Sequence, residues 1–311
     1  MKYTLHNGVP FSRFALGTVQ LGLNYGIANS SGKPSTELAF EIMDKAVSLG
    51  VNNFDTAAGY GDSEEIIGAW LKTCPPEKKP LITTKIVNFD HSSPAALEES
   101  LKSKVDQCRI RLGLDSIPLL MLHHSGDFMK DPAGVMAALK AVKNSGSVER
   151  IGISLYQDDD YDLIANSEFD AVQIPQNIFD WRMIDNGKLG RLSAAGNQIF
   201  VRSVFLQGLV FKDPETLHPA MASYAPALRK YRALCEKYAL TPAALAASFV
   251  LALPGVTSLV LGCEKTEQVE ANAQLIESCV ALSQAQLDEI HEAFLDVEPS
   301  MLDPRIWPGH C

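Results

Sequence analysis

Four side chains in the first half of the chain could together deliver a proton to a reacting oxygen. Asp55, Lys85 and His123 stand at the ends of three successive apolar runs, and Tyr60 follows Asp55. The pKa of an unperturbed tyrosine is about 10. A nearby lysine cation favours the phenolate, and a carboxylate can hold that lysine in place. We therefore expect Lys85, held by Asp55, to lower the pKa of Tyr60 and to tune it as a general acid or base.

These four residue types suit the reduction of a carbonyl group. Hydride addition to a carbonyl carbon leaves an alkoxide, which needs a proton at the same moment. Tyr60 can donate that proton, while a neutral His123 can orient the carbonyl oxygen by hydrogen bonding. Each residue alone has an ordinary structural explanation, such as a capping aspartate or a satisfied core histidine. Their joint occurrence at strand ends favours one polar site.

Two other chemistries are weakly supported. The adjacent His123 and His124 could suggest a metal, but neighbouring residues on a strand point to opposite faces. No His-x-His pair closes the first strand, and no carboxylate–histidine pattern follows, so we expect no metal site. Ser154 lacks the Gly-x-Ser-x-Gly turn of a nucleophilic serine.

The elements that must position these residues alternate between strands and helices. Eight short apolar runs occur, and each of the first seven is followed by a helical pattern before the next run. These runs are residues 14–16, 52–55, 80–85, 117–122, 151–154, 171–174, 199–203 and 256–261. This pattern predicts an α/β fold, the (β/α)8 TIM barrel, in which functional side chains follow the strand ends. A doubly wound sheet is the alternative, but it needs a glycine-rich helix start, and residues 17–22 are predicted to open a loop.

Three segments lie outside this repeat. Residues 2–13 are predicted to form a β-hairpin that plugs the barrel bottom, with Asn7-Gly8 as its turn. Residues 207–224 form a long insertion after the seventh strand, and residues 296–311 form a polar and aromatic tail. Long loops and tails at the active face of a barrel are candidate lids. We expect a single domain over residues 1–311, with extra helices and the tail at its C-terminal end.

Composition and charge exclude several classes of partner. The chain has 311 residues with 27 Lys and Arg against 37 Asp and Glu, a formal net charge of −10. No basic run offsets that charge, so neither nucleic acid nor a membrane surface is an expected partner. No segment reaches the roughly 18–20 apolar residues of a membrane span, and the six cysteines are scattered. We expect a reduced cytoplasmic protein, a monomer or weak homo-oligomer, that acts on a small molecule.

A resemblance to a known family is carried by one segment above all. Residues 50–61 read GVNNFDTAAGYG and are followed by Ser63-Glu64, which looks like the signature segment of the aldo-keto reductases. Further matching segments follow in order: Thr84-Lys85, Leu122-His123, Gly152-Ile153-Ser154, Gln173, residues 203–209 and residues 262–272. The similarity covers essentially the whole chain. Residues 17–26 also resemble bacterial members labelled as sugar dehydrogenases.

The resemblance implies a (β/α)8 barrel that binds NADP(H), or less often NAD(H), without a Rossmann domain. It matches Asp55, Tyr60, Lys85 and His123 to the family's catalytic tetrad. The residues that it implies for cofactor binding are Gly17, Thr18, Ser154, Gln173, Arg202, Ser203, Phe205, Gly208, Gly262, Lys265, Gln268 and Asn272. Those expected in the substrate pocket are His124, Tyr25 and Trp307. Family frequency alone favours NADP(H) over NAD(H).

The chain departs from the family pattern at three positions. Leu155 stands where many relatives have an asparagine that binds the carboxamide of the cofactor. Arg202 replaces an aromatic residue that stacks on the nicotinamide ring, and a guanidinium plane can also stack. Gln268 stands where many NADPH-specific relatives have an arginine, so Lys265 is the remaining candidate for the 2′-phosphate.

The resulting hypothesis is an NAD(P)H-dependent oxidoreductase that interconverts a carbonyl (aldehyde, ketone or sugar) and its alcohol. Two alternatives stay open. The family includes cofactor-binding regulatory subunits, such as potassium-channel β subunits, which predicts binding with little turnover. An NAD-linked sugar 1-dehydrogenase would use the same four residues in the oxidative direction, with the tyrosinate as proton acceptor.

Overall fold

The strands form a closed parallel barrel preceded by a two-stranded hairpin. The computed structural model describes residues 1–26 and 32–307. Its strands are β1 (Tyr3–His6), β2 (Val9–Ser12), β3 (Phe14–Gly17), β4 (Asn53–Asp55), β5 (Leu81–Ile86), β6 (Leu119–Leu122), β7 (Ile151–Ser154), β8 (Ala171–Pro175), β9 (Gln198–Arg202) and β10 (Val256–Gly262). Strands β3 to β10 pair in chain order, and β10 closes the barrel on β3. The predicted (β/α)8 fold is confirmed.

Helices surround this barrel and connect its strands. They are α1 (Val19–Gly22), α2 (Thr36–Ser48), α3 (Ser63–Leu71), α4 (Pro94–Leu112), α5 (Ser125–Lys130), α6 (Pro132–Asn144), α7 (Tyr161–Ala165), α8 (Arg182–Asp185), α9 (Lys188–Ala194), α10 (Ala225–Tyr238), α11 (Pro242–Ala252), α12 (Thr266–Ser278) and α13 (Gln284–Ala293). Helix α4 is capped at its start, because the Ser93 side chain accepts a hydrogen bond from the Ala96 amide. It ends at Gly113, which adopts the left-handed conformation that glycine tolerates.

Two local predictions need correction. Residues 17–22 do not open directly into a loop, because Val19–Gly22 forms one helical turn. The fourth predicted run begins too early, since Ile117 forms only an isolated bridge with Val148 before β6 starts.

The core lies between the barrel and its helices. Trp70 of α3 is fully buried and stacks on Phe54 of β4, with ring centroids 5.5 Å apart. Its indole nitrogen donates to the Asp44 carboxylate at 2.8 Å, so the polar part of this buried ring is satisfied.

The N-terminal hairpin closes the bottom of the barrel, as the sequence predicts. Asn7 and Gly8 both have positive φ angles (50° and 80°), the conformation that a two-residue hairpin turn requires. The turn brings β2 under the barrel, where Phe11 is buried. The other buried members of this apolar layer are Leu119, Met121, Ala171 and Phe200.

The C-terminal part of the chain adds short helical segments. Leu206–Phe211 and Pro219–Tyr224 follow β9 as 3₁₀ segments, and Pro299–Leu302 and Pro304–Ile306 lie in the tail. Residues 308–311 of the predicted tail lie outside the described residues, as does Cys311, and the five described cysteines are free thiols. In the described chain no single helix is long and apolar enough to cross a membrane, although the bent pair Pro219–Tyr238 and Pro242–Ala252 passes by length and composition.

Candidate active site

A buried ion pair lies at the carboxyl ends of β4 and β5. The Lys85 side chain is inaccessible to solvent, and its Nζ lies 2.6 Å from Oδ2 of Asp55. The same ammonium donates to the Thr56 carbonyl at 3.0 Å. The second carboxylate oxygen, Oδ1, accepts a hydrogen bond of 2.7 Å from Nε2 of Gln173. Both oxygens of Asp55 are therefore occupied, and the pair is held in one geometry.

Tyr60 and His123 lie directly over this pair. Lys85 Nζ is 5.1 Å from the centroid of the Tyr60 ring. The rings of Tyr60 and His123 meet edge to face, with centroids 5.5 Å apart. The structure thus brings Tyr60 together with the three residues that the sequence places at strand ends.

The loop that carries Tyr60 packs backbone against backbone. A β-carbon on Gly22 would overlap the carbonyl oxygen of Tyr60, and one on Gly61 would overlap the carbonyl oxygen of Gly22. Gly61 also has a φ of +57°. Only glycine permits this approach, so these two positions fix the height of Tyr60 in the site.

Three buried hydroxyl groups tie this loop to the strand ends. Thr18 Oγ1 donates to the Asp55 carbonyl at 2.9 Å. Ser63 Oγ lies 2.9 Å from Thr18 Oγ1 and 3.0 Å from Thr56 Oγ1. This network gives the serine of the signature segment a positioning role, because buried hydroxyls that are all paired resist displacement.

The glutamate of the signature segment supports Lys85 from behind. Glu64 is almost fully buried and pairs with Arg111 Nε at 2.6 Å. Its other oxygen accepts from Thr84 Oγ1 at 2.5 Å. Since Thr84 precedes Lys85 in β5, this ion pair anchors the strand that delivers the lysine.

The protonation of Tyr60 differs from the expectation. Burial and the Asp55 carboxylate raise the pKa of Tyr60 well above its ordinary value, and the Arg202 cation opposes this shift. The predicted lowering by Lys85 is wrong, because burial of the phenol and the nearby Asp55 carboxylate dominate the shift. Burial in turn lowers the pKa of Lys85, against the attraction of Asp55. Tyr60 is therefore held protonated.

His123 is a neutral imidazole at physiological pH. Burial lowers its pKa to about 3, and the cation of Lys85 adds to that shift. A neutral ring can donate one hydrogen bond and accept another, which is the orienting role that the sequence analysis gives it.

A cavity of about 550 Å³ opens above these residues, within the size range of small-molecule sites. Most of the predicted site residues line it. They are Gly17, Thr18, Tyr25, Asp55, Tyr60, His123, Ser154, Gln173, Arg202, Ser203, Phe205, Gly208, Gly262, Gln268 and Asn272. Lys85 lies beneath the cavity floor rather than in its wall.

Three further predicted site residues do not line the cavity. Lys265 is exposed just before α12. Trp307 is buried, and its indole nitrogen donates to the Ser300 carbonyl at 3.0 Å. His124 is exposed and stacks on His123, with centroids 4.9 Å apart. None of the three is among the lining residues, so the pocket walls expected from Trp307 and His124 are not formed by them.

The predicted orientation of His123 and His124 also needs correction. His123 and His124 do not point to opposite faces, because both follow the end of β6 and their rings are nearly parallel, at 11°. Within residues 1–26 and 32–307, no group of three or more His, Cys, Asp and Glu side chains could hold a metal ion.

The cavity fits a nicotinamide dinucleotide in three respects. The described residues Ser203, Leu206, Gln207 and Gly208 have positive φ angles, and loops of this kind turn backbone N–H groups toward an anion. The start of α12 lies at the wall, and a helix N-terminus favours phosphate. Two lining residues missed by the sequence analysis, Gln20 and Gln207, each carry a buried side-chain oxygen without a partner.

Arg202 makes a contact that the sequence did not indicate. Its guanidinium lies 4.6 Å from the centroid of the Tyr156 ring and donates to the Leu155 carbonyl at 3.1 Å. Arg305 of the tail contacts the same ring at 4.0 Å. No sequence motif marks Tyr156, which lines the cavity beside Ser154.

Comparison with known proteins agrees with this architecture. The aldo/keto reductase family model matches residues 13–294. The chain is 24% identical to the aldo-keto reductase YhdN of Bacillus subtilis over 305 residues, 88% of each chain. It is 26% identical to L-galactose dehydrogenase of Arabidopsis thaliana over 320 residues, 98% of this chain and 95% of that enzyme. The holo form of an aldo-keto reductase of Bacillus halodurans superposes with a TM-score of 0.76, at 21% identity, over 100% of this chain and 99% of that one.

A parallel barrel with a polar cavity at the carboxyl ends of its strands has the architecture of a barrel enzyme. The chain belongs to the aldo-keto reductase family. It is therefore an oxidoreductase of a family that uses nicotinamide cofactors and acts on small carbonyl compounds.

Proposed function

We propose that this enzyme transfers hydride between a nicotinamide cofactor and an aldehyde, ketone or sugar, with Tyr60 as the proton donor. The observation that supports this most is the edge-to-face contact of Tyr60 and His123 beside the Lys85–Asp55 pair, at the floor of the cavity. The reduced cofactor supplies the hydride. Everything else in the reaction is proton transfer and positioning by the protein.

The proton path follows from the geometry. As a C–H bond forms at the carbonyl carbon, the π electron pair moves to oxygen, and Tyr60 Oη donates its proton there. A phenolate remains, which the Lys85 cation stabilises until water returns a proton. Neutral His123 holds the carbonyl oxygen by a hydrogen bond. The products are an alcohol and the oxidised cofactor.

The cofactor would lie along the cavity wall. Gln173 uses its amide nitrogen on Asp55, so its Oε1 and the Ser154 hydroxyl are available to the carboxamide. The turn at Ser203 to Gly208 would hold the pyrophosphate, and Gln268 and Asn272 would face the adenosine.

The preference between NADP(H) and NAD(H) depends on two side chains of opposite charge before α12. Exposed Lys265 would attract a 2′-phosphate, which supports the NADP(H) preference, whereas Glu264 lines the wall and would repel it. Quenching of protein fluorescence by NADPH and NADH measures the choice. A preference for NADPH that Lys265→Gln reduces supports NADP(H). A preference for NADH that becomes weaker in Glu264→Gln would show that Glu264 determines the cofactor preference.

The replacement Tyr60→Phe tests the proposed function. We expect turnover to fall by about 10²- to 10⁴-fold, since that is the usual contribution of a general acid. Absorbance of the reduced nicotinamide, with NADPH or NADH and a panel of aldehydes and sugars, measures it. Tyr161→Phe is the matched control, because Tyr161 is also buried but does not line the cavity.

Either of two results would contradict the proposal. Full turnover by Tyr60→Phe would exclude Tyr60 as the acid. Tight cofactor binding by the wild type without turnover of any carbonyl would instead support a regulatory subunit.

A second candidate is the oxidation of a sugar, which the similarity to L-galactose dehydrogenase favours. Oxidation requires the phenolate of Tyr60, and the raised pKa makes that form scarce at neutral pH. We expect kcat for oxidation to rise with pH through the alkaline range, while kcat for reduction stays constant from about pH 6 to 9. Initial rates in both directions measure this. An oxidation rate that falls from neutral to alkaline pH, while circular dichroism shows folded protein, would exclude the tyrosinate base.

A further inference from the structure

Arg202 carries a charge that no described residue neutralises. It ends β9, is half-buried and lines the cavity. Its guanidinium contacts the Leu155 carbonyl and the face of the Tyr156 ring, and it forms no ion pair within the described chain. Burying part of a guanidinium without a counter-ion costs free energy, so another interaction must compensate for that cost.

The nearby carboxylate cannot serve as that counter-ion. Asp55 already receives Lys85 on one oxygen and Gln173 on the other. His123 is neutral. The reacting end of the cavity therefore carries one excess positive charge, from Arg202, in a protein whose net charge is −10.

The guanidinium is also held in place. Tyr156 contacts both Arg202 and Arg305, at 4.6 and 4.0 Å from the ring centroid. Arg305 differs from Arg202 because Asp303 pairs with it through two hydrogen bonds of 2.8 and 2.7 Å. The tail thus contacts the Tyr156 ring through the neutral Arg305–Asp303 pair. The charge of Arg202 stays unpaired at the cavity wall.

We propose that Arg202 binds an anionic group of the substrate, so that the preferred substrates are carbonyl compounds that also carry a carboxylate. A guanidinium binds a carboxylate through two parallel hydrogen bonds, which fixes the orientation of the substrate as well as its affinity. This inference rests on the proposed function. The pyrophosphate of the cofactor is also an anion that Arg202 could bind, since Ser203 to Gly208 follow Arg202 directly. The experiment separates a substrate carboxylate from the cofactor pyrophosphate.

The test compares two substrates that differ in charge. The pair is 4-carboxybenzaldehyde and methyl 4-formylbenzoate, which share the ring and the aldehyde. We expect the wild type to prefer the acid in kcat/KM, and Arg202→Gln to lower the acid-to-ester ratio by about 10- to 100-fold. Arg202→Lys should keep part of the preference. Arg191→Gln is the control, because Arg191 pairs with Asp162 outside the cavity and its loss changes the net charge equally.

Three results would overturn the inference. An unchanged ratio in Arg202→Gln would remove Arg202 from substrate recognition. An equal fall in kcat/KM for both substrates, with weaker binding of the reduced cofactor by fluorescence, would assign Arg202 to the cofactor, through its pyrophosphate or its nicotinamide ring. A ratio that Arg191→Gln lowers as much would assign the preference to the overall charge.

A separate readout covers failure of the proposed function. If the wild type reduces neither aldehyde, calorimetric titration with benzoate still tests the site. Binding that weakens about 10-fold or more in Arg202→Gln supports an anion site, and binding that does not change contradicts it.

Discussion

The two ends of one barrel are built on opposite principles. At the bottom, Phe11 of the hairpin is buried in an apolar layer with Met121 and Phe200. At the top, Lys85 is buried to the same extent but pairs with Asp55. The same strands contribute to both ends, since β6 gives Met121 to the lower layer and is followed by His123 in the site. Depth along a strand therefore decides whether a position contributes packing or chemistry.

The energetic meaning of burial differs between these ends. Burying an aromatic ring in an apolar layer stabilises the fold in proportion to the area removed from water. Burying an ion pair gains little, because the loss of hydration offsets the attraction between the charges. Burial at the bottom therefore contributes to stability, whereas burial of the ion pair at the top contributes little to it.

The largest effect is expected from Lys85→Met, which breaks the pair at the top. Removal of the cation leaves Asp55 buried without its counter-ion and leaves the Tyr60 phenolate unsupported. We expect kcat to fall by about 10²- to 10⁴-fold and the free energy of unfolding to fall by about 3–5 kcal/mol. Steady-state rates and urea unfolding measure these changes. Lys140→Met is the control, because that lysine pairs with Glu168 at the surface, and full turnover by Lys85→Met would contradict the assignment.

A smaller effect, on stability alone, is expected from Phe11→Ala at the bottom. The lost ring leaves a cavity in the lower layer, which costs about 3–5 kcal/mol for a buried phenylalanine. The fraction that remains folded should keep its kcat, because the layer lies at the opposite end from Tyr60. Urea unfolding and active-site titration measure the two quantities. Val9→Ala on the same strand, where the side chain is exposed, should change stability by less than about 0.5 kcal/mol. A loss of kcat in folded Phe11→Ala would show that the two ends are coupled.

The sequence predicts locally determined features, such as turns and strand ends, better than it predicts pKa shifts or the course of the C-terminal tail. Asn7-Gly8 predicts the hairpin because a two-residue turn is a local property, and Asp55, Lys85 and His123 are found because strand ends meet on one face. The raised pKa of Tyr60 depends on the folded site, where burial and the nearby Asp55 carboxylate both disfavour the phenolate.

The tail is harder still to predict. It has no hydrophobic period, so nothing in the sequence shows that Trp307 turns inward or that Arg305 reaches Tyr156. The contact between Arg202, at the end of β9, and Tyr156, after β7, likewise joins residues that are far apart in the sequence.

The finest test of the difference between the ends is Gly22→Ala, which leaves both layers intact and displaces only the Tyr60 loop. A β-carbon at Gly22 would overlap the Tyr60 carbonyl, so the loop must shift and carry the phenol with it. Misplacement of a reacting group by about 1 Å costs up to about 10²-fold in rate, and we expect kcat to fall by about 10- to 100-fold. Gly59→Ala is the matched control, because a β-carbon there meets no atom within 4 Å. Thermal unfolding of both variants separates a shifted loop from a destabilised barrel. Equal kcat values for Gly22→Ala and Gly59→Ala would show that the height of Tyr60 is not set by this backbone contact.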